Sequence, residues 1–201
     1  MQVSGKHKKQ PMTNPEEFLL TKTITVGNVK NWMALKDADS KEKIINLINH
    51  RFRNRYINHV KEIKSGFLKM AISCLMIETF ESFKKGKNDT KGKGAKFFEN
   101  FFSTEKEYFP GFKDIHEDFY TNIRCGILHQ AETKNMWRIW LEGSLLNTAQ
   151  KIINADKFLL ALEKSFENYL KILEEKSFDE QIWVNALKKL NHICNNCNAI
   201  H

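Results

Sequence analysis

The sequence lacks any apolar run long and clean enough to cross a bilayer. The best candidate, "FLKMAISCLMIETF", carries Lys69 and Glu78 and is followed within one residue by Glu81, well short of the roughly 20 apolar residues a spanning helix needs. Cysteine is sparse, with Cys74, Cys125, Cys194 and Cys197 in 201 residues. Two of these sit in helix-like apolar segments, which excludes a disulfide framework and fits buried thiols in a reducing compartment. The opening stretch "MQVSGKHKKQPMTNP" is polar and basic, without the apolar centre of a secretory signal. A cytoplasmic protein with no membrane partner is the expectation. No internal repeat is present. Arginine is rare, five of 32 cations, so each Arg stands out.

What is present suffices for one globular domain: 41% hydrophobic and 28% charged residues over this length build a core with a solvated surface. The formal net charge of +8 is concentrated. Lys6, Lys8 and Lys9 carry three positive charges, and "KKGKNDTKGKGAK" (84–96) carries six Lys against one Asp, leaving the rest of the chain near neutral. Such segments are either solvated loops or arms that hold phosphate backbones.

The apolar periodicity predicts a mainly α fold, a helical bundle with a small β-hairpin. Residues 1–15 read as a disordered basic tail and 16–39 as an N-terminal extension. In that extension "TKTITVGNV" alternates like a short strand. A helical domain is expected over 40–193. Ser40 is the expected N-cap of a first helix, running through Ile44, Ile48, Phe52 and Ile57. A core helix follows over about 67–84, apolar on nearly every side. The Gly/Lys/Asn loop 85–94 comes next, then a Phe-rich short helix and turn, and a helix over 112–130. A strand or hairpin arm closes at Gly143, and Asn154 caps an amphipathic helix. A last helix spans about 179–193, with 194–201 a polar tail.

The chemistry-bearing stretch is "FYTNIRCGILHQAET" (119–133). On an ideal helix Arg124 and His129 project about 140° apart, flanking the apolar stripe. Gly126 lies near the middle of that stripe, where a glycine lets another backbone approach. Gly126, with Ile123 and Ile127, is therefore expected to pack on a symmetry mate, bringing two Arg and two His around one groove. The pair suits RNA cleavage without a metal or cofactor. His can take the ribose 2′-OH proton near neutral pH, and Arg can grip the charge building on the phosphate. The products would be a 2′,3′-cyclic phosphate and a 5′-hydroxyl.

"IRCGILHQAE", preceded by "FY" and followed by "WRI", resembles the HEPN superfamily of small α-helical proteins, which carry an Arg, four to six residues, then a His on a late helix. "GFLKMAISCLMIETFESFKKG" is similar to the long core helix of bacterial members. The resemblance covers roughly residues 50–175. It implies a helical bundle that forms a homodimer across the motif helix. It also implies metal-independent endoribonuclease activity, often in toxin–antitoxin or anti-phage systems, with an antitoxin or other defence component as partner. By position, Arg124 and His129 are then the catalytic pair; Cys125 stands where active members often have Asn, Asp or His. Some members bind RNA or nucleotides without cutting, and a purely structural dimer is the third reading.

Three further groups carry weaker signals. "HRFRNRYINH" (50–59) supplies Arg51, Arg53, Arg55, Tyr56 and His59 as an RNA track, to which Lys91 and Lys93 add charge. Arg53, Asn54 and His59 also form a second Arg–His pattern that competes for the catalytic role. Glu78 and Glu81 interrupt the core helix: Glu81 is assigned to an exposed seam, and Glu78 is paired with Arg124 or Arg138 if buried. The C-terminal His192, Cys194, Cys197 and His201 are zinc-type ligands crowded into ten residues, a span that favours a polar tail over a metal site.

Overall fold

The chain is described by a computed structural model, covering residues 14–89 and 91–197. Asn14 caps a short 3-10 turn, Pro15–Glu17. The expected strand at 21–29 is instead one isolated bridge, Leu19 to Thr25, followed by helix α1 (Val26–Leu35). Thr25 and Asn28 close a reciprocal capping box there, and that local cap overrides the strand-like alternation. Val26 and Val29 enter the common core, so α1 is part of the domain and not an appendage to it.

Helix α2 (Ala38–Phe52) begins at Asp37 rather than Ser40. The Asp37 carboxylate accepts from the Ser40 backbone N–H at 2.7 Å, and Ser40 itself is buried one turn in. The helix runs on through a π-helical turn, Arg53–Ile57, into α3 (Asn58–Lys61). After a break capped by Ser65, α4 (Gly66–Lys85) forms the axis of the bundle. Met70, Cys74, Met76, Ile77, Phe80 and Phe83 are all essentially inaccessible, as an all-round apolar helix requires. It ends at Gly86 in a left-handed conformation.

Helix α5 (Gly94–Thr104) and the following turn carry the aromatic core. Phe98, Phe102, Phe109, Phe112, Phe119 and Phe158 form one cluster with ring centroids 4.9–6.4 Å apart, mostly edge to face. Truncating any one of them to Ala would cost about 3–5 kcal/mol. The stretch expected as one even helix over 112–130 is helical throughout but irregular. A 3-10 turn (Phe112–Ile115) leads into α6 (His116–Asp118), a π turn (Phe119–Arg124) and α7 (Cys125–Gln130).

The expected β-hairpin is a three-stranded sheet. β3 (Ile152–Asn154) lies in the middle, parallel to β1 (Arg138–Trp140) and antiparallel to β2 (Leu146–Asn147). Ile152 and Ile153 are buried, which makes β3 the interior strand. Asn154 then caps α8 (Ala155–Glu175), accepting from the Lys157 N–H at 2.9 Å. Helix α9 (Gln181–Asn196) runs on past 193, so Cys194 lies inside a helix and faces the core, not in a frayed tail. α4 packs against α5, α8 and α9, α2 against α8, and α1 against α2 and α9. Among the described residues no helix is long and apolar enough to cross a membrane.

Candidate functional site

Arg124 ends the π turn. Widening the helix by one residue makes the Cys125 N–H donate to the Tyr120 carbonyl, five residues back, a local distortion often found at functional positions. The Arg124 guanidinium lies over the Tyr120 ring, 5.5 Å from its centroid. It reaches α4, where Nε and Nη2 both donate to Glu78 Oε1, at 2.8 and 2.7 Å. Glu78 is therefore paired with Arg124 and not with Arg138, which donates to the Gln150 carbonyl and stacks near Trp140. Burial pulls the Arg124 guanidinium down, and the Glu78 carboxylate more than offsets this, holding it above its ordinary value. The charge on Arg124 is thus permanent.

The third nitrogen of the fork, Nη1, lies 3.4 Å from His129 Nε2 and 4.0 Å from Cys125 Sγ. The two residues expected on opposite flanks therefore meet at their tips. The 140° separation describes where the side chains leave the helix, and the long Arg stem spans it. A guanidinium only donates, so in this contact Nε2 is the acceptor and its lone pair faces Nη1. His129 is exposed in the last turn of α7. Beside the pair, Arg124 and Glu78 border a cleft of about 320 Å³, together with Leu75, Thr79, Leu128 and Lys189.

Gly126 and Ile123 do not face outward. A Cβ at Gly126 would sit 2.6 Å from the Glu132 carbonyl oxygen and 3.2 Å from Thr133 Cα, so the backbone that this glycine admits is the chain's own 132–134 loop. That loop is held down by Asn122, whose backbone carbonyl accepts from the Lys134 N–H and whose side-chain oxygen accepts from Asn135, each at 2.9 Å. Ile123 is fully buried in the core, and Ile127 is half-buried against it. The sequence pattern locates a close packing surface here but not whose backbone fills it.

The expected RNA track divides. Arg51, Arg55 and Tyr56 line a small cleft whose wall, Leu75 and Thr79, also borders the Arg124 cleft, so these residues lie on the same side of α4 as the pair. Arg55 additionally donates to the Leu20 carbonyl at 2.6 Å. Burial, then the neighbouring Arg55, pull the Arg51 guanidinium below its ordinary value. Arg53 points elsewhere, into Glu163 at 2.6 Å and onto Glu167. His59 is exposed, and the competing Arg53–His59 pattern is not assembled. Lys91 and Lys93 border one cleft at the α4–α5 connection, and Lys93 also borders a second.

Glu81 is not on an exposed seam: it is fully buried, 3.0 Å from Lys84 Nζ. At the C-terminus, Cys194 is buried and its thiol is pushed up by that burial. His192 Nε2 meets the Asn196 amide at 3.1 Å, and His201 lies outside the described residues. Among the described residues no group of three or more His, Cys, Asp or Glu is arranged to hold a metal ion. Two members of the site were not anticipated. Tyr120 stands four residues before Arg124, a helical neighbour the spacing could have indicated. Lys189 arrives from α9, and no local pattern announces it.

Comparisons with family models, with curated proteins and with solved structures return no match to this chain.

Proposed function

We propose that the chain is a metal-independent endoribonuclease of the HEPN type that works as a homodimer. The observation that carries this reading is the meeting of Arg124 Nη1 and His129 Nε2 at 3.4 Å, with the guanidinium anchored from behind by Glu78. In this reading the phosphate takes the Nη1 donor over from His129, whose freed Nε2 takes the proton from a ribose 2′-OH, and the oxygen attacks the adjacent phosphorus within the same nucleotide. The P–O bond to the 5′-oxygen of the next nucleotide breaks, that oxygen takes a proton from water, His129 returns its proton to solvent, and a 2′,3′-cyclic phosphate remains. Arg124, charged at every working pH, stabilises the phosphorane oxygens, and Glu78 and Tyr120 fix its position so that it need not reorganise during the reaction. Arg51 and Arg55 hold flanking phosphates, and Tyr56 offers a stacking face.

The dimer is supported by exposed apolar side chains beside the site. Leu68 and Leu75 lie two turns apart on α4 and are 43% and 40% exposed; Leu128 on α7 is 45% exposed. Leu75 and Leu128 border the Arg124 cleft itself, and a second copy laid across them would bury this face and bring two sites together.

Incubating end-labelled RNA with the protein in EDTA tests the activity. The expected result is cleavage to 2′,3′-cyclic phosphate and 5′-hydroxyl ends, lost on Arg124→Ala with the helical circular dichroism unchanged. Cleavage that survives Arg124→Ala removes the assignment. A second reading, an RNA-binding dimer that does not cut, is favoured by one feature: Nε and Nη2 are both closed on Glu78, leaving a single nitrogen for a phosphate. It expects salt-sensitive retention of RNA that stays intact.

A further inference from the structure

The lysine-rich segment 84–96 has no part in the chemistry above, yet the fold does not leave it as a loose arm. Lys84, Lys85 and Lys87 at the end of α4, and Lys93 and Lys96 at the start of α5, stand around a cleft of about 650 Å³, a size typical of small-ligand sites. Two of the five are neutralised. Lys84 is held by Glu105 at 2.5 Å and by Glu81, and Lys96 by Glu99 at 2.6 Å. Lys85, Lys87 and Lys93 form no ion pair among the described residues and remain available.

Two independent features favour an anion in the same place. The first turns of α5 and α9 both border the cleft, through Lys96 and Phe97 on one side and Gln181 and Ile182 on the other. Neither helix has a side-chain cap on its N-terminus. The positive ends of both helix dipoles therefore border one space. Glu81 also lines the cleft, fully buried, with its Oε2 lacking any hydrogen-bond partner. Burial pushes the Glu81 carboxyl up against the opposing pull of Lys84, which stands 3.0 Å from its other oxygen. Phe97 and Ile182 supply an apolar wall.

We propose that this cleft binds a chain of two or three linked phosphates, free or carried on a nucleoside, independently of the Arg124 cleft. Three unpaired ammonium groups on two rims, with two helix ends between them, match an extended charge of about −3 to −4 better than a single phosphate. The test is calorimetric titration of the full chain with tripolyphosphate, ATP and orthophosphate at fixed, moderate salt. Tripolyphosphate and ATP are expected to bind once per chain, with orthophosphate at least tenfold weaker. Equal affinity for the first two assigns recognition to the phosphates alone, and tighter ATP binding adds the Phe97–Ile182 wall; both support the proposal. The exposed double change Lys87→Gln/Lys93→Gln should weaken binding at least tenfold with the melting temperature unchanged, whereas Arg124→Ala should leave binding intact. The proposal is overturned if neither ligand binds, if orthophosphate binds as well as tripolyphosphate, if the double variant binds like wild type, or if Arg124→Ala abolishes binding. Failure to cleave RNA would not touch this result, because the two readings rest on different residues.

Discussion

Two stretches of this chain carry an Arg followed by a His, and each Arg sits on a π-helical turn: Arg53 on Arg53–Ile57 and Arg124 on Phe119–Arg124. Their fates differ completely. Arg53 is drawn into α8, where Glu163, only 6% exposed, takes both Arg53 and Lys61, and Glu167 takes the remaining arm. Its guanidinium is closed on carboxylates, and His59 stays apart from it. Arg124 meets one carboxylate, Glu78, and keeps one nitrogen turned to His129. Residue type and backbone distortion do not separate the two, and the spacings, five positions at Arg124 and six at Arg53, differ by only one. What separates them is the number of carboxylates that the opposing helix presents: α8 offers two at 163 and 167, one helical turn apart, and α4 offers one.

The largest effect that would sharpen this contrast is on catalysis. Under the ribonuclease reading, His129→Ala should slow RNA cleavage about 10²–10⁴-fold, the range for loss of a general base. His59→Ala should change it less than threefold. Single-turnover cleavage in EDTA measures both. A large loss at His59 with little at His129 would reverse the assignment of the two stretches.

The same contrast predicts opposite ranks for stability. Arg53→Ala removes a charge partner from the buried Glu163 and should destabilise the fold by about 2–3 kcal/mol, tempered because Lys61 remains at 2.6 Å. Arg124→Ala exposes a more accessible carboxylate, with the Glu78 side chain at 14%, and should cost about 1–2 kcal/mol. Urea denaturation followed at 222 nm ranks the pair, and a larger loss at Arg124 would mean that the site is a keystone of the fold.

The bundle was legible in the sequence because its signals are local and repeated. The apolar circumference of α4, the Asn154 cap and the stripe of α8 each declare themselves within a few turns. The site was half legible. Arg124 and His129 could be picked out by chemistry and resemblance, but their contact depends on rotamers, and Glu78 lies 46 positions away on another helix. Gly126 shows the limit well. Its place on the packing stripe was readable, whereas the identity of the backbone against it, the loop at 132–134, follows from how Asn122 ties that loop down. The lysine segment could be read as a solvated loop or a phosphate-holding arm but not as a cleft, because α9, which closes it, is some 90 residues distant in sequence. Thr25 is the converse case, where a two-residue capping box outweighed a strand-like alternation.

The smallest predicted effect is a pH dependence at the Arg53 cluster. Burial alone would raise the Glu163 carboxyl, but hydrogen bonds from Lys61 and Arg53 outweigh it and hold the carboxyl below the usual glutamate range. A depressed folded-state value means that the unfolded chain binds the proton more readily. The stabilisation is therefore fully present above the ordinary Glu value of about 4.3 and is lost as the pH falls through and below it. Wild-type stability should decline over that acid range, and Arg53→Ala, having weakened the grip on Glu163, should decline less steeply, so that the two curves converge as the pH falls. Denaturation midpoints at pH 7, 5 and 4 test this directly. Parallel curves would show that Arg53 contributes packing along its stem rather than charge, and would dissolve the electrostatic distinction between the two arginines.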